Sequence, residues 1–452
     1  MKSNTIAVLP FLNISPDKEH EYFSDGITEE IINALAQISG LKVISRTSSF
    51  YFKNKNIPLK DIAIQLNAEI ILEGSVRVAG KMMRITAQLI QAEEDFHFWS
   101  ETWDRKLENV FEIQDEISLL IAEKLREQSG HFEIRDHLVA KQTENLDAYE
   151  YSLKANYHFN KWNPQDVREA IRLYDKAIEL DPKHTESYVG LADAYSFLAT
   201  TEFMSREEGW QKTVEYTQKA YALDPKNAGV HYQLANLSFF TDCNFSEATR
   251  HAIRAVELKP SYPEAQQYMA FLYMLTGQWD QARQHLQFAL GIDPLNPETL
   301  FYKAYYEYKT GNYRGALDQY NEILLKNPKN IPSNVVRSYC LLKLGSYDEV
   351  LKTMKNMPKE IVMPDEQLGI TCLAYIMKGD ESQTKKHLDL LMEEAQKPMA
   401  FQAHSYLFLA YANLSMHDEA FEWVENSLKK KSSIFLLSFS DPLVSALKED
   451  LR

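Results

Sequence analysis

The sequence predicts two parts in series: a small α/β domain, with helices packed on one mixed sheet, and then an all-α superhelical solenoid of helix pairs. Three observations carry this reading. Glycines recur at Gly277, Gly311, Gly345 and Gly379, each 34 residues from the next. Prolines keep nearly the same interval at Pro225, Pro260, Pro294 and Pro328, and a fixed period of this length marks stacked repeats. Over residues 1–130 the period vanishes, and short runs alternate apolar and polar residues as strands do.

In the first part, "NTIAVLPFLNI" and "LKVISRTSSFYF" read as strand-rich runs on either side of a helical "ITEEIINALAQI". A second helix, "LKDIAIQLN", leads into three alternating runs, "AEIILEGSVRVAG", "KMMRITAQLIQA" and "FHFWSETWDRKL". Ala79-Gly80-Lys81 supplies a hairpin turn between the first two of these. The amphipathic "FEIQDEISLLIAEKLREQ" closes the unit. The order β-α-β-α-β-β-β-α gives one sheet with packed helices over residues 1–130, and residues 131–145 read as a linker.

In the second part, "TGQWDQARQHLQFALGIDP" and "TGNYRGALDQYNEILLKNP" are two copies of one pattern. Each unit holds two amphipathic helices of about 14 residues, a length that lets an apolar stripe face an antiparallel neighbour. Glycine at the short turn lets the backbone reverse without a Cβ clash. Proline stops the second helix and suits the first turn of the next. One pair cannot bury its own apolar face, so pairs stack. The 34-residue pattern resembles the tetratricopeptide repeat (TPR), whose small, aromatic and proline positions are matched by Ala270, Tyr273, Ala282, Ala289 and Pro294. The array runs over 146–432 as about eight repeats, with extra residues near "TTEFMSREEG" and "TDCNFS". The tail at 433–452 reads as a capping helix.

The phrases "IAVLPFLNIS", "EYFSDGITEEI", "LKVISRTSSF", "ILEGSVR", "RITAQLI" and "WDRKLENVFEIQDEI" resemble a TolB-like N-terminal α/β domain, which TPR arrays commonly follow in bacterial regulators. The resemblance implies a sensory or regulatory region. Its output module would be a separate DNA-binding or class III adenylyl cyclase segment, and none is recognisable in these residues.

Composition narrows the function classes. The formal net charge is −15, the wrong sign for tracking phosphates, so direct nucleic-acid binding by this region is not expected; the short basic cluster Lys429–Lys431 does not reverse that. Cys243, Cys340 and Cys372 form no CxxC pair and read as buried free thiols in helices. No run approaches the roughly 18 apolar residues of a membrane span, and no signal peptide is evident. The expected compartment is the cytoplasm, or the periplasm if the chain is a piece of a membrane-anchored regulator. No phosphate-binding, dinucleotide, serine-hydrolase or zinc-protease motif occurs; no catalytic residue, metal or cofactor is expected, and the chain reads as a non-enzyme.

The acidic stretch "EHEYFSDGITEEI" poses the sharpest choice between a metal site and a helix start. The cap reading is preferred: Asp25 caps a helix opening at Gly26 or Ile27, and Glu29 and Glu30 occupy its first turn, where the helix dipole favours negative charge. Trp99 and Trp103 read as sheet core. "SRTSSF" could offer hydroxyls to an anion, and Arg46 is the ligand-contact candidate there. For the repeats, the TPR resemblance implies that the first helix of each pair lines a groove. The positions it would turn inward include Tyr232, Asn236, Phe239, Phe271, Met274, Phe301, Tyr305, Tyr308 and Tyr339. An aromatic stripe of that kind fits an apolar or aromatic peptide. The expected function is therefore a regulatory scaffold that binds a protein or peptide and controls an attached or partner output module, in transcription or cyclic-nucleotide signalling. A small-molecule sensor built on the α/β domain or its junction with the first repeats is the alternative, and a homodimer is left open.

Overall fold

The structure is a computed structural model that describes residues 5–16, 20–129, 134, 136–139, 142–161, 163–200, 203–358, 362–397, 401–429 and 434–447. The chain forms two compact units. One holds residues 1–237, 250–266 and 288–296, and the other residues 238–249, 267–287 and 297–452. Of the 131–145 linker, residues 134, 136–139 and 142–145 are described.

The first unit opens with strands β1 (Thr5–Val8) and β2 (Leu12–Asn13), helix α1 (Glu21–Leu35), strand β3 (Lys42–Val43) and helices α2 (Arg46–Phe50) and α3 (Leu59–Leu66). Strands β4 (Ile70–Ala79), β5 (Met82–Gln91) and β6 (Phe96–Lys106) and helix α4 (Val110–Ser129) follow. The sheet order is β3-β1-β4-β5-β6, with β2 also paired to β4. The β1–β3, β1–β4 and β2–β4 pairings are parallel, and β4–β5–β6 is an antiparallel meander. Ala79 pairs with Met82 across the expected turn, where Gly80 takes φ +60°.

Side-chain alternation splits the sheet between two cores. Ile70, Leu72, Ile85, Leu89 and Trp103 join Ile27, Ile31, Ile117 and Ile121 from α1 and α4. Ile71 and Ile90 point the other way, to Ile62, Ala63 and Leu66 of α3. Trp99 packs against the first core, as sheet core should.

Three expectations need correction here. "SRTSSF" is not strand: Ser45 accepts a hydrogen bond from the Ser48 N–H (3.4 Å) and starts α2. Hydroxyl side chains at N-caps compete well with extended pairing. Asp25 is not a cap, because α1 begins at Glu21. The helix runs through Gly26, where a Cβ would meet Leu153 Cδ2 at 2.7 Å; close approach of a neighbouring helix, not a turn, explains that glycine. Cys243 sits in a turn rather than a helix, half-buried at φ +51°, whereas Cys340 and Cys372 are buried as expected.

Sixteen helices follow among the described residues, in antiparallel pairs. They are α5 (Leu146–Phe159) with α6 (Pro164–Leu180), α7 (Thr185–Thr200) with α8 (Arg206–Leu223), α9 (Ala228–Phe240) with α10 (Phe245–Leu258), and α11 (Pro263–Leu275) with α12 (Trp279–Ile292). Then come α13 (Pro297–Lys309) with α14 (Tyr313–Lys326), α15 (Ile331–Lys343) with α16 (Tyr347–Asn356), α17 (Pro364–Lys378) with α18 (Glu381–Glu394), and α19 (Phe401–Asn413) with α20 (His417–Lys429). A short α21 (Ile434–Phe439) and a 3-10 stretch (Pro442–Leu447) end the described chain.

The period has the cause the sequence suggests. Gly277, Gly311, Gly345 and Gly379 all take left-handed conformations, with φ between +71° and +92°. Ala270, Ala282, Ala289 and Ala316 are fully buried where helices approach. The fold is thus a small mixed sheet with packed helices, followed by a TPR-like helical solenoid.

Candidate partner-binding surfaces

Within the first unit, the α/β elements are tied to repeat helices through α1 and α2. Tyr22 Oη donates to Glu150 Oε1 (2.8 Å), Lys259 Nζ to Asn33 Oδ1 (3.1 Å), and Ser261 Oγ to the Ala36 carbonyl (3.2 Å). The Ser45 N–H donates to the Ile292 carbonyl (2.6 Å), and Ser48 donates from both N–H and Oγ to Asp293 Oδ1 (3.1 and 2.6 Å). The hydroxyls of "SRTSSF" do meet an anion, and it is this chain's own carboxylate. Arg46 is engaged as well: its Nε donates to Glu29 Oε2 (2.9 Å) and its guanidinium lies 4.0 Å from the Phe50 ring.

The acidic stretch is likewise structural. Lys53 Nζ meets Asp25 Oδ1 and Glu21 Oε1, both at 2.6 Å. Asp25 is 4% exposed; burial raises its pKa while Lys53 opposes the rise. Glu30, bonded by Gln142 Nε2 (3.1 Å), is pushed up to about 7 by burial and by Glu29 and Glu186. Asp193 on α7, bonded by Gln233, is also pushed up to about 7 by burial and by Glu264. Among the described residues no group of three or more His, Cys, Asp or Glu side chains could hold a metal ion.

The second unit carries a continuous ladder of rings on the first helices of successive pairs. Phe239 meets Phe271 at 5.6 Å between centroids, Phe271 meets Tyr302 at 5.8 Å, and Tyr302 meets Phe301 at 5.4 Å. Phe301 stacks on Tyr305 (5.8 Å), Tyr305 on Tyr308 (6.2 Å), and Tyr308 tilts toward Tyr339 (6.3 Å). Tyr339 and Tyr406 share a hydroxyl hydrogen bond of 2.7 Å.

The chain's own residues 439–443, "FSDPL", lie against the end of this ladder. Tyr308 Oη donates to Asp441 Oδ1 (2.6 Å), and Lys309 Nζ donates to the Ser440 carbonyl and to Ser440 Oγ (2.8 Å). Lys343 Nζ donates to the Pro442 carbonyl (3.2 Å) and Asn413 Nδ2 to the Leu443 carbonyl (3.0 Å). The Phe439 ring stacks on Phe408 at 6.3 Å. Asp441 is 5% exposed and Leu443 1%, and burial raises the Asp441 pKa against the pull of Lys309 and Tyr308.

The nine groove candidates therefore separate. Phe239, Phe271, Met274, Tyr305 and Tyr308 are buried, as is Asn236, which corrects the expectation that they face solvent. Contact with neighbouring rings removes Phe239, Phe271, Tyr305 and Tyr308 from water, and Tyr308 also meets Asp441. Tyr232, Phe301 and Tyr339 are half-buried; Tyr232 lies in the first unit, 5.5 Å from the Tyr262 ring. Sequence reasoning missed Lys309, Lys343 and Asn413, whose role depends on contacts up to 131 residues away. The one signal available was "SDP", an acid-proline turn signature inside an apolar run.

Comparison with known proteins adds kinship to this geometry. Residues 2–120 match the family described as HilA/YgeH-like transcriptional regulator, second domain. Residues 269–335 match the tetratricopeptide repeat. A protein of Rhizobium meliloti (strain 1021) named "Putative adenylate cyclase 3" is 35% identical over 238 residues, which are 51% of this chain and 39% of that protein. The chain thus spans well under half the length of that relative. Among solved structures, a tetratricopeptide repeat protein from Parabacteroides merdae is similar at 14% identity and a TM-score of 0.38, covering 56% of this chain and 95% of its own. A TPR protein of Thermus thermophilus is similar at 19% identity and a TM-score of 0.33, covering 43% of this chain and 99% of its own. The chain joins a domain similar to part of a transcriptional regulator to an array of helix pairs that matches the tetratricopeptide repeat over residues 269–335.

Proposed function

We propose that this chain is a non-catalytic regulatory region whose TPR helices bind a protein or peptide and thereby control an attached or partner output module. The observation that carries the reading is the ring ladder on α9, α11, α13 and α15, ending in side chains that already hold a turn of polypeptide. The description of the family matched by residues 2–120 supports an output in transcription, and the name of the Rhizobium relative supports one in cyclic-nucleotide signalling. The finer kinship to TolB-like domains, the cytoplasmic location and the lack of direct nucleic-acid contact belong to the same reading.

A peptide array probed with the whole chain tests it. Peptides should be retained, and Phe301→Ala together with Lys343→Ala should weaken their binding at least about tenfold, a loss of about 1.4 kcal/mol. No retained peptide, or retention indifferent to both changes, overturns the reading.

A sensor reading draws on one further observation: Glu30 and Asp193, in the first unit, both ionise only near pH 7, and perturbed carboxyls concentrate at functional sites. Under that reading, a library of small cationic metabolites shifts the melting temperature of the whole chain, and the shift is lost in Asp193→Asn.

A further inference from the structure

We infer that the face formed by α13, α15 and α19 is a recognition site for a turn segment of the form aromatic–Ser–Asp–Pro–apolar, and that residues 439–443 hold it as an intramolecular occupant. This rests on the scaffold reading above and names the partner's chemistry.

The division of labour among the contacts supports it. Lys309, Lys343 and Asn413 address the carbonyls of Ser440, Pro442 and Leu443. Every polypeptide carries such carbonyls, so these three side chains grip a backbone of any sequence. The Ser440 carbonyl lies in the turn between α21 and the 3-10 stretch, and those of Pro442 and Leu443 lie at the start of that stretch. Pro442 favours the break after α21, since it has no N–H to donate and biases Asp441 away from α-helix. Selectivity comes from three points. The Asp441 carboxylate accepts from Tyr308 Oη and from the Leu443 N–H (2.6 and 2.8 Å) and lies beside two lysines. The Leu443 side chain is buried. The Phe439 ring stacks on Phe408 while staying 55% exposed.

A charged group buried in this way adds little stability over apolar packing of the same volume. It does impose a strict requirement on whatever occupies the site. A partner that displaces the segment must bring an acid at the Asp441 position, flanked by a ring two residues before it and an apolar side chain two after. An internal occupant lowers the apparent affinity for that partner in proportion to the time it spends bound.

The experiment uses the whole chain and a fluorescent peptide with the sequence of residues 434–447, followed by anisotropy. Wild type should take up the peptide weakly. Asp441→Asn, which keeps the size of the side chain but removes its charge, should take it up at least about tenfold more tightly. Leu443→Ala, which loosens the segment and leaves the receiving face intact, should do the same. Adding Lys309→Ala to either should abolish the gain, and a peptide carrying Asn in place of the acid should bind none of them. Uptake by both folded variants equal to wild type overturns the inference and makes the segment a fixed part of the fold. If array peptides bind through Lys343 but lack the aromatic–acid–proline pattern, the inference fails while the scaffold reading stands.

Discussion

Ser48 Oγ donates to Asp293 Oδ1 at 2.6 Å, joining two residues 245 positions apart. The same hydroxyl accepts from the Leu295 N–H at 2.9 Å, so it closes a relay between α2 and the turn that follows α12. Ser48→Ala removes a donor and an acceptor together inside a buried site. The expected loss is about 1–3 kcal/mol, read from urea unfolding followed by tryptophan fluorescence. A loss below about 0.5 kcal/mol would show that the relay is replaceable by water.

Stability should depend on pH through Glu30 and Asp193. Both ionise near pH 7 in the folded chain, whereas unfolded carboxyls ionise near pH 4. Between those values the folded state holds more protons, so their contribution falls as pH rises from about 4.5 to 7. His184, buried and pushed down to about 4, acts in the opposite sense below about pH 6.5. The clean measurement is therefore a difference. Glu30→Gln with Asp193→Asn should narrow the gap in melting temperature between pH 5 and pH 8 compared with wild type, and an unchanged gap would refute the assignment.

The three thiols should separate by reactivity. Burial pushes Cys340 and Cys372 up to about 12, and both are inaccessible, whereas Cys243 is half-buried in a turn. Native protein treated with iodoacetamide at pH 8 should gain one adduct, on Cys243, with three after denaturation. Mass spectrometry checks this, and a native adduct on Cys372 would contradict the packing of α17.

Two glycines should fail for different reasons. At Gly369 a Cβ would run into the ring of Tyr406, so alanine there overpacks a helix contact at about 1–3 kcal/mol. At Gly311 nothing lies within reach of a Cβ, but φ is +92°, and alanine costs about 1–2 kcal/mol from backbone strain alone. Asparagine, which tolerates the left-handed region, should recover part of the loss at residue 311 and none at residue 369; thermal unfolding of the four variants decides.

The repeat was legible because its causes are local. Each left-handed glycine and each buried alanine answers to neighbours within its own pair or the next. Strand alternation in β4 and β5 was legible for the same reason. What sequence could not show was distance-dependent. Asp25 looks like a cap until Lys53 is found 28 residues on, and Gly26 looks like a turn until Leu153 is found packed on it. Arg46 looks free until Glu29 is placed beside it. Tyr305 and Tyr308 look like groove positions until they are found buried, and a pattern of first helices carries no information about a segment 130 residues later that accepts from Tyr308.

That covering segment has a kinetic corollary. Most of this fold is built from neighbours in sequence, which lets it assemble progressively as a ribosome delivers it. The hydroxyl of Tyr308 and the ammonium of Lys309, however, wait for residues 440 and 441. At typical elongation rates that interval is on the order of ten seconds, during which the end of the aromatic ladder stands without the segment that later closes it.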